Sequence, residues 1–149
     1  MFRQIAVDEP SQRYQAILWR PDGSSELKTY FLTTVTYGLA CSPYLANRVI
    51  RQLANDYKNS HPIASRVLQE EFYVDDCLSG DHTLNDAQKK VCQLFDLTDK
   101  GKFPLRKWST NNHKILSSIP SEYLAHEPKN LKEINDVVSV LGLSWRPNN

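Results

Sequence analysis

The chain has 149 residues, enough for one ordinary domain with its own core. Its hydrophobic share of 40% and formal charge of +1 exclude a disordered chain, and no apolar run approaches the ~20 residues that span a bilayer. The near-zero charge also argues mildly against a general nucleic-acid binder, although Lys100, Lys102, Arg106 and Lys107 make a local basic stretch beside Phe103 and Trp108.

In chain order the opening reads as strands over Arg3 to Val7 and Tyr14 to Arg20, with Pro10-Ser11 between them. The turn signal Pro21-Asp22-Gly23 leads to a strand over Leu27 to Thr33. Thr34 to Ser42 is irregular, with Gly38 as a backbone hinge. Ser42-Pro43 then opens a helix, serine as N-cap and proline in the first turn, and Leu45, Val49, Ile50, Leu53 and Tyr57 recur at helical spacing as its buried face. Pro62 separates it from a second helical segment, about Ile63 to Gln69.

Tyr73-Val74-Asp75-Asp76 follows, between the apolar runs Val67-Leu68 and Phe72-Tyr73 and the run Cys77-Leu78. Side chains alternate faces along a strand, so adjacent aspartates share a site only where the backbone turns, and two turn-prone aspartates between apolar runs describe a tight hairpin. Two carboxylates held together need a cation or a raised pKa, and Mg²⁺ takes one or two carboxylates together with substrate phosphates. An Asp-Asp pair by itself reads first as a solvated turn. Thr83-Leu84-Asn85-Asp86 starts another helix, with Ala87, Val91, Leu94, Phe95 and Thr98 at helical period and Gly101 as its stop. Short strands are predicted over Phe103 to Trp108, Lys114 to Leu116 and Val137 to Trp145. An order β-β-β-α-β-β-α-β points to an α+β sandwich, an antiparallel sheet with helices packed on one face.

Three cysteines (Cys41, Cys77, Cys92) without metal-ligand spacing fit reduced thiols inside a cell, and the N-terminus carries no apolar signal core. The four histidines show no zinc spacing, and no glycine-rich phosphate loop or Ser/His/Asp arrangement is readable. Cys77 reads as a small buried hydrophobe.

Taken together, several segments resemble the palm of a reverse transcriptase, most closely that of BEL/Pao-class LTR retrotransposons. Tyr73-Val74-Asp75-Asp76 matches the YxDD box, and Thr36-Tyr37-Gly38-Leu39-Ala40-Cys41-Ser42-Pro43 matches the upstream box that ends in a helix start. Leu105-Arg106-Lys107-Trp108-Ser109-Thr110-Asn111 resembles the downstream lysine box, and Leu141-Gly142-Leu143-Ser144-Trp145 the Leu-Gly box after it. Met1-Phe2-Arg3-Gln4-Ile5 resembles the end of the first catalytic box, and Tyr14 to Arg20 the strand beyond it.

The resemblance implies a polymerase palm related to RRM and ferredoxin-like folds over residues 1–149, with a residual fingers segment over about 8–36 and the start of a palm–thumb junction over about 137–149. It implies RNA-directed DNA synthesis with two Mg²⁺ or Mn²⁺ ions about 4 Å apart. Asp75 would be the stronger metal ligand and Asp76 the weaker. Tyr73 would lie near the primer terminus, Val74 would press on the sugar or base, and Phe2 would exclude a ribose 2′-hydroxyl. Tyr37 would pack on the incoming sugar, and Gly38 would let the backbone approach it. Lys107 would meet the polyphosphate, and Leu141 and Gly142 would support the primer end. On residue type alone, Phe2 and Tyr37 serve equally as core aromatics, Gly38 as a turn glycine and Lys107 as a solvated cation.

The implied partners are an RNA or DNA template with its primer, dNTP and the rest of a retroelement polyprotein, with no membrane. The implied setting is the cytoplasm or virus-like particles. The family's first catalytic aspartate stands five residues before the aromatic that aligns with Phe2, so it is expected upstream of Met1, and the chain as given is expected to be inactive. Asp8, the nearest acidic residue, falls on the wrong side of the motif. The alternatives are a non-catalytic retroelement relic, an RRM-like nucleic-acid-binding module, and a metal-dependent nuclease that would need Glu70-Glu71 as further ligands.

Overall fold

The computed structural model describes residues 1–125, 138–140 and 142–145. They form a mixed α+β chain with two compact units, Met1–Gln52 and Leu53–Asn149.

The first unit begins with a 3-10 turn at Phe2–Gln4, closed by Gln4 and Ile5 amides on the Met1 and Phe2 carbonyls. The strand expected over Arg3 to Val7 is therefore reduced to a short extended stretch after that turn. There Ile5 accepts from the Val35 amide, Val7 donates to Thr33, and Ala6 bridges Thr34. Its apolar residues do not alternate, so no strand period holds the segment open. Pro10-Ser11 lies within a helical turn, α1 (Glu9–Gln12), where proline fits because the first-turn amides have no intrahelical acceptor. A 3-10 turn at Arg13–Gln15 follows, then β1 (Ala16–Trp19) and β2 (Lys28–Phe31), paired antiparallel with Ile17 opposite Tyr30 and Trp19 opposite Lys28. The loop between them is set by Asp22, whose carboxylate accepts from the backbone amides and hydroxyls of Ser24 and Ser25. Those hydrogen bonds hold its acid pKa down at about 2.

Helix α2 (Ser42–Tyr57) forms where the 3.6-residue period predicts it. Ser42 does not act as its cap: it is already helical and buried, and its hydroxyl donates to the Thr36 carbonyl. Ala46, Ile50 and Ala54, spaced by four, are the fully shielded stripe, whereas Leu45, Val49, Leu53 and Tyr57 on its flanks keep partial exposure.

In the second unit α3 (Pro62–Glu70) packs on α4 (Leu84–Lys100). Ala64, Val67 and Leu68 face Leu94 and Leu97, and burying each large side chain stabilises the fold by roughly 1.5–3 kcal/mol. α4 starts at Thr83, whose hydroxyl oxygen accepts from the Asp86 amide. It ends with Lys102 donating to Asp99 and Phe103 donating to Thr98, a Schellman closure. The left-handed residue of that closure is Lys102 (φ 59°) and not Gly101, which keeps helical φ. Glycine at 101 leaves room instead: a Cβ there would lie 2.5 Å from a methyl of Leu53, which would have to move.

Between the two helices lies a small hairpin, β3 (Phe72–Tyr73) and β4 (Asp76–Cys77), with Phe72 opposite Cys77 and Tyr73 opposite Asp76. Two expected strands are absent. Phe103 to Trp108 contributes only a bridge from Trp108 to Leu124, because Pro104 lacks an amide proton and Lys107 turns the backbone at φ 60°. Lys114 to Leu116 lies in a helical turn, α5 (His113–Leu116), whose N-cap Asn112 accepts from the Lys114 amide. The segment read as one strand to Trp145 is a hairpin, β5 (Val138–Val140) and β6 (Leu143–Trp145), turning at Gly142 with φ 78°. Val137 and Leu141 lie outside the described residues. Among the described residues the ladders are three separate two-stranded pairs, not one continuous sheet. No described helix is long and apolar enough to cross a membrane.

The α3–α4 core and the α4 cap separate by magnitude. Leu97→Ala should cost about 2–5 kcal/mol and Thr83→Ala about 1 kcal/mol, both read from urea unfolding midpoints.

Candidate functional site

The hairpin at residues 72–77 turns on two residues, Val74 and Asp75, because Tyr73 and Asp76 are the last paired positions. The turn is thus one residue earlier than an aspartate–aspartate turn: Asp75 is at the tip, while Asp76 belongs to β4. Val74 has φ 58°. A two-residue hairpin loop needs a left-handed first residue to match strand twist, and glycine usually supplies it. A β-branched residue in that conformation is strained by about 1–3 kcal/mol. Asp75, Asp76 and Tyr73 are exposed, Tyr73 at 66%, and Val74 is half-buried. Two solvated carboxylates, one at a turn and one on the adjoining strand, are hard oxygen donors of the kind Mg²⁺ takes while keeping several waters.

The strand after the turn carries Cys77, in partial burial, its thiol pushed up to about 12 by burial first and by the Glu71 charge second. That chemistry removes it as a nucleophile at neutral pH. Glu71, weighed from sequence as a further metal ligand, has its carboxylate 3.9 Å from the Lys90 ammonium instead. Among the described residues no group of three His, Cys, Asp or Glu side chains is gathered to hold a metal.

Lys107 sits in a loop shaped by aromatic packing. Trp108 stacks on Phe95 at 4.8 Å between centroids, Tyr123 meets the Phe95 ring edge-on at 5.7 Å, and the Arg106 guanidinium lies 5.2 Å over Tyr123. The Trp108 backbone is held on both sides, donating to Tyr123 and accepting from Ala125. Lys107 is exposed beside this cluster with left-handed backbone. In the first unit Phe2 and Tyr37 meet edge-to-face at 5.5 Å, so these two candidates share one place. Gly38 follows with φ 84°, a conformation that favours glycine, and no atom would crowd a Cβ there. Gly142 is exposed at its turn, and Leu141 falls outside the described residues.

Three features escaped the sequence reading. The first is Lys90, 5% exposed, its ammonium within hydrogen-bond distance of Ser79 and Gly80. Its signal was available: Lys90, Leu94 and Leu97 lie on one α4 face, which puts a lysine at a core position. The second is Gln93, whose side-chain oxygen accepts from the Ile63 and Ala64 amides and so caps α3 from another helix. The third is a Ser-His-Asp row. Ser60 Oγ is 2.8 Å from His61 Nδ1, and His61 Nε2 contacts Asp96, which also takes the Lys100 ammonium. The Ser60 and His61 amides both donate to the Tyr57 carbonyl. The row links the α3 entry to α4.

Two measurements check this geometry. Val74→Gly should raise stability by about 1 kcal/mol or more in urea unfolding, because it relieves the left-handed valine. Iodoacetamide at pH 8 should modify exposed Cys41 and Cys92 within minutes and leave Cys77 unmodified, as mass spectrometry of the digested chain would show. The raised thiol pKa also means that the Cys77 contribution to stability is present below the unfolded thiol value and is lost as pH rises toward about 12.

Compared with known proteins, the chain matches no family model, no curated protein and no solved structure.

Proposed function

We propose that this chain is a palm segment of a retrotransposon reverse transcriptase, its Tyr73-Val74-Asp75-Asp76 hairpin presenting carboxylates for nucleotidyl transfer. The observation that carries the reading is the tight two-residue turn, with a strained valine behind Asp75, at the position of the box that the sequence resembles. Strain kept at an exposed turn is a common mark of a functional loop.

Asp75 and Asp76 would hold a divalent cation, whose chemistry when bound is to lower the charge on substrate phosphates and activate an attacking hydroxyl. The residues of the second unit then act around it. Asp75, at the tip, fixes the position of that charge, and Asp76 supports it from β4. Tyr73, largely exposed on β3, offers a ring against a primer terminus. Lys107 offers a cation to a polyphosphate from a loop stiffened by Trp108. Within the first unit Phe2 and Tyr37 are in edge-to-face contact, and the family resemblance alone would give them a sugar to pack against. The palm assignment of the α+β fold, the template, primer and dNTP as partners, and the cytoplasmic setting belong to the same proposal.

A second reading, a nucleic-acid-binding module without catalysis, draws on the first hairpin. Trp19 and Tyr30 lie edge-to-face at 5.9 Å and about half exposed, with Lys28 opposite Trp19 and Arg20 next to it. Rings beside cations suit single-stranded nucleic acid.

Paramagnetic broadening by Mn²⁺ tests the first reading directly. Sub-millimolar Mn²⁺ should broaden the amide signals of residues 73–77 selectively, and Asp75→Asn should abolish the effect while the chain stays folded. Broadening spread evenly over surface carboxylates would overturn it. Primer extension on poly(rA) with Mg²⁺ or Mn²⁺ is expected to fail for the 149 residues alone, since among the described residues no third acidic ligand is gathered with Asp75 and Asp76. Extension that Asp75→Asn abolishes would show that another carboxylate of this chain completes the site. Binding to a single strand that survives Asp75→Asn but is lost in Trp19→Ala, without Mn²⁺ broadening at the hairpin, would favour the second reading.

A further inference from the structure

The buried ammonium of Lys90 has no part in the site described above, yet it lies at the open end of the aspartate hairpin. Glu71 immediately precedes β3, and its carboxylate is 3.9 Å from Lys90 Nζ. Ser79, Gly80 and Asp81 follow soon after β4. Lys90 Nζ donates to the Ser79 hydroxyl at 3.0 Å and the Gly80 carbonyl at 2.6 Å, and it pairs with the Asp81 carboxylate at 3.1 Å. The contact with Lys90 is also what chiefly holds the Asp81 acid pKa below its ordinary value. One cation on α4 thus touches the chain both as it enters the hairpin and as it leaves.

We infer that Lys90 is the positioning residue of the aspartate-bearing hairpin, its ammonium clipping both ends of that hairpin to α4. The physical need is plain. The ladder has only two paired positions on each strand, and a two-stranded hairpin of that size does not persist in water unaided. The turn also carries a strained valine that works against it. Leu78 adds one more backbone bond, donating to Glu71 at 3.3 Å, but that bond is long. The shielded ammonium donates to Ser79, Gly80 and Asp81, with the Glu71 carboxylate 3.9 Å away as a longer ion pair. It supplies what the ladder lacks, because hydrogen bonds to a charged donor are about twice as strong as neutral ones. Its burial makes the arrangement specific: an ammonium withdrawn from water must keep those partners, so the loop at 79–81 has one seat. The inference rests on the polymerase reading for what the turn does, but the clip itself rests on geometry alone.

The test uses the 149-residue chain with Lys90→Met, which keeps the aliphatic stem, Lys90→Arg, which keeps the charge, and Asp81→Asn, which loosens the clip from its loop side should Lys90→Met not fold. Hydrogen exchange is followed at residues 72–81 and, separately, at Leu94, Leu97 and Thr98 in α4. Mn²⁺ broadening at Asp75 and Asp76 is titrated in the same samples. Lys90→Met should speed exchange in 72–81 about tenfold or more, as loss of charge-assisted bonds predicts, while the α4 amides keep their protection. The Mn²⁺ concentration needed for broadening should rise several-fold, Lys90→Arg should recover much of both effects, and Asp81→Asn should move both in the direction of Lys90→Met by less.

Uniformly faster exchange in α3 and α4 would make Lys90 an ordinary core residue and overturn the clip. Unchanged exchange in 72–81 would overturn it too. Faster hairpin exchange with an unaltered Mn²⁺ titration would leave a structural clip and remove the positioning role. Absence of hairpin-selective broadening in the parent chain would instead strike at the metal reading and take the positioning role with it, and the exchange data would show whether the clip stands.

Discussion

The packing of the inner face of α4 is the constraint on which the second unit depends. Leu94 and Leu97 bury against α3 and supply its apolar core. The same helix meets three polar needs that α3 and the hairpin cannot meet themselves. Gln93 satisfies two amides at the start of α3, where Pro62 and His61 provide no side-chain cap. Asp96 takes His61 at the same corner, and Lys90 takes the loop beyond β4. Lys90, Gln93, Leu94 and Leu97 follow one another by three, one and three residues, so all four lie on one face. Apolar burial sets the distance between α3 and α4, and the polar contacts fix their register.

That arrangement explains how an unfavourable turn survives. The Val74–Asp75 turn places a β-branched residue in left-handed backbone, while the ladder beneath it is short. The hairpin sets a two-pair ladder and the partial burial of Phe72, Val74 and Cys77 against that strain. A further hold comes from outside, through the charge of Lys90 and the helix that carries it. A loop held in this way can keep its acidic residues exposed to solvent, because its position does not depend on their burial.

Much of this was legible in the sequence wherever order is local. The three long helices follow from apolar spacing, the Thr83 start follows from its cap, and the hairpin follows from two acidic residues between short apolar runs. The errors fall where short apolar runs do not distinguish strand from coil or helix. Arg3 to Val7 and Phe103 to Trp108 have strand-like composition, but each lacks the alternation or the neighbour that would build a ladder. At Lys114 to Leu116 the Asn112 cap was the overlooked local signal. The contacts that fix the site are of another kind. Gln93 reaches Ile63 thirty residues away, and Lys90 reaches back to Gly80, so no local period encodes either. Only the oddity of a lysine on an apolar face pointed there.

The first hairpin and the aspartate hairpin contrast in a way that bears on their uses. The ladder of β1 and β2 is longer, yet all eight residues are exposed, including Ile17, Leu18, Trp19, Tyr30 and Phe31. It is held at its base, where Gln15 is buried and its amide group donates to the Leu32 and Thr34 carbonyls. Apolar side chains left about half exposed gain only part of what full burial would give. The aspartate hairpin has another design: a two-pair ladder, a strained tip and a buried charge at its root. A ladder fastened at one end with rings exposed along its length can adapt to what lies on it. A turn clipped at both ends cannot, and a fixed position is what a carboxylate needs if it is to place a charge against a reacting group.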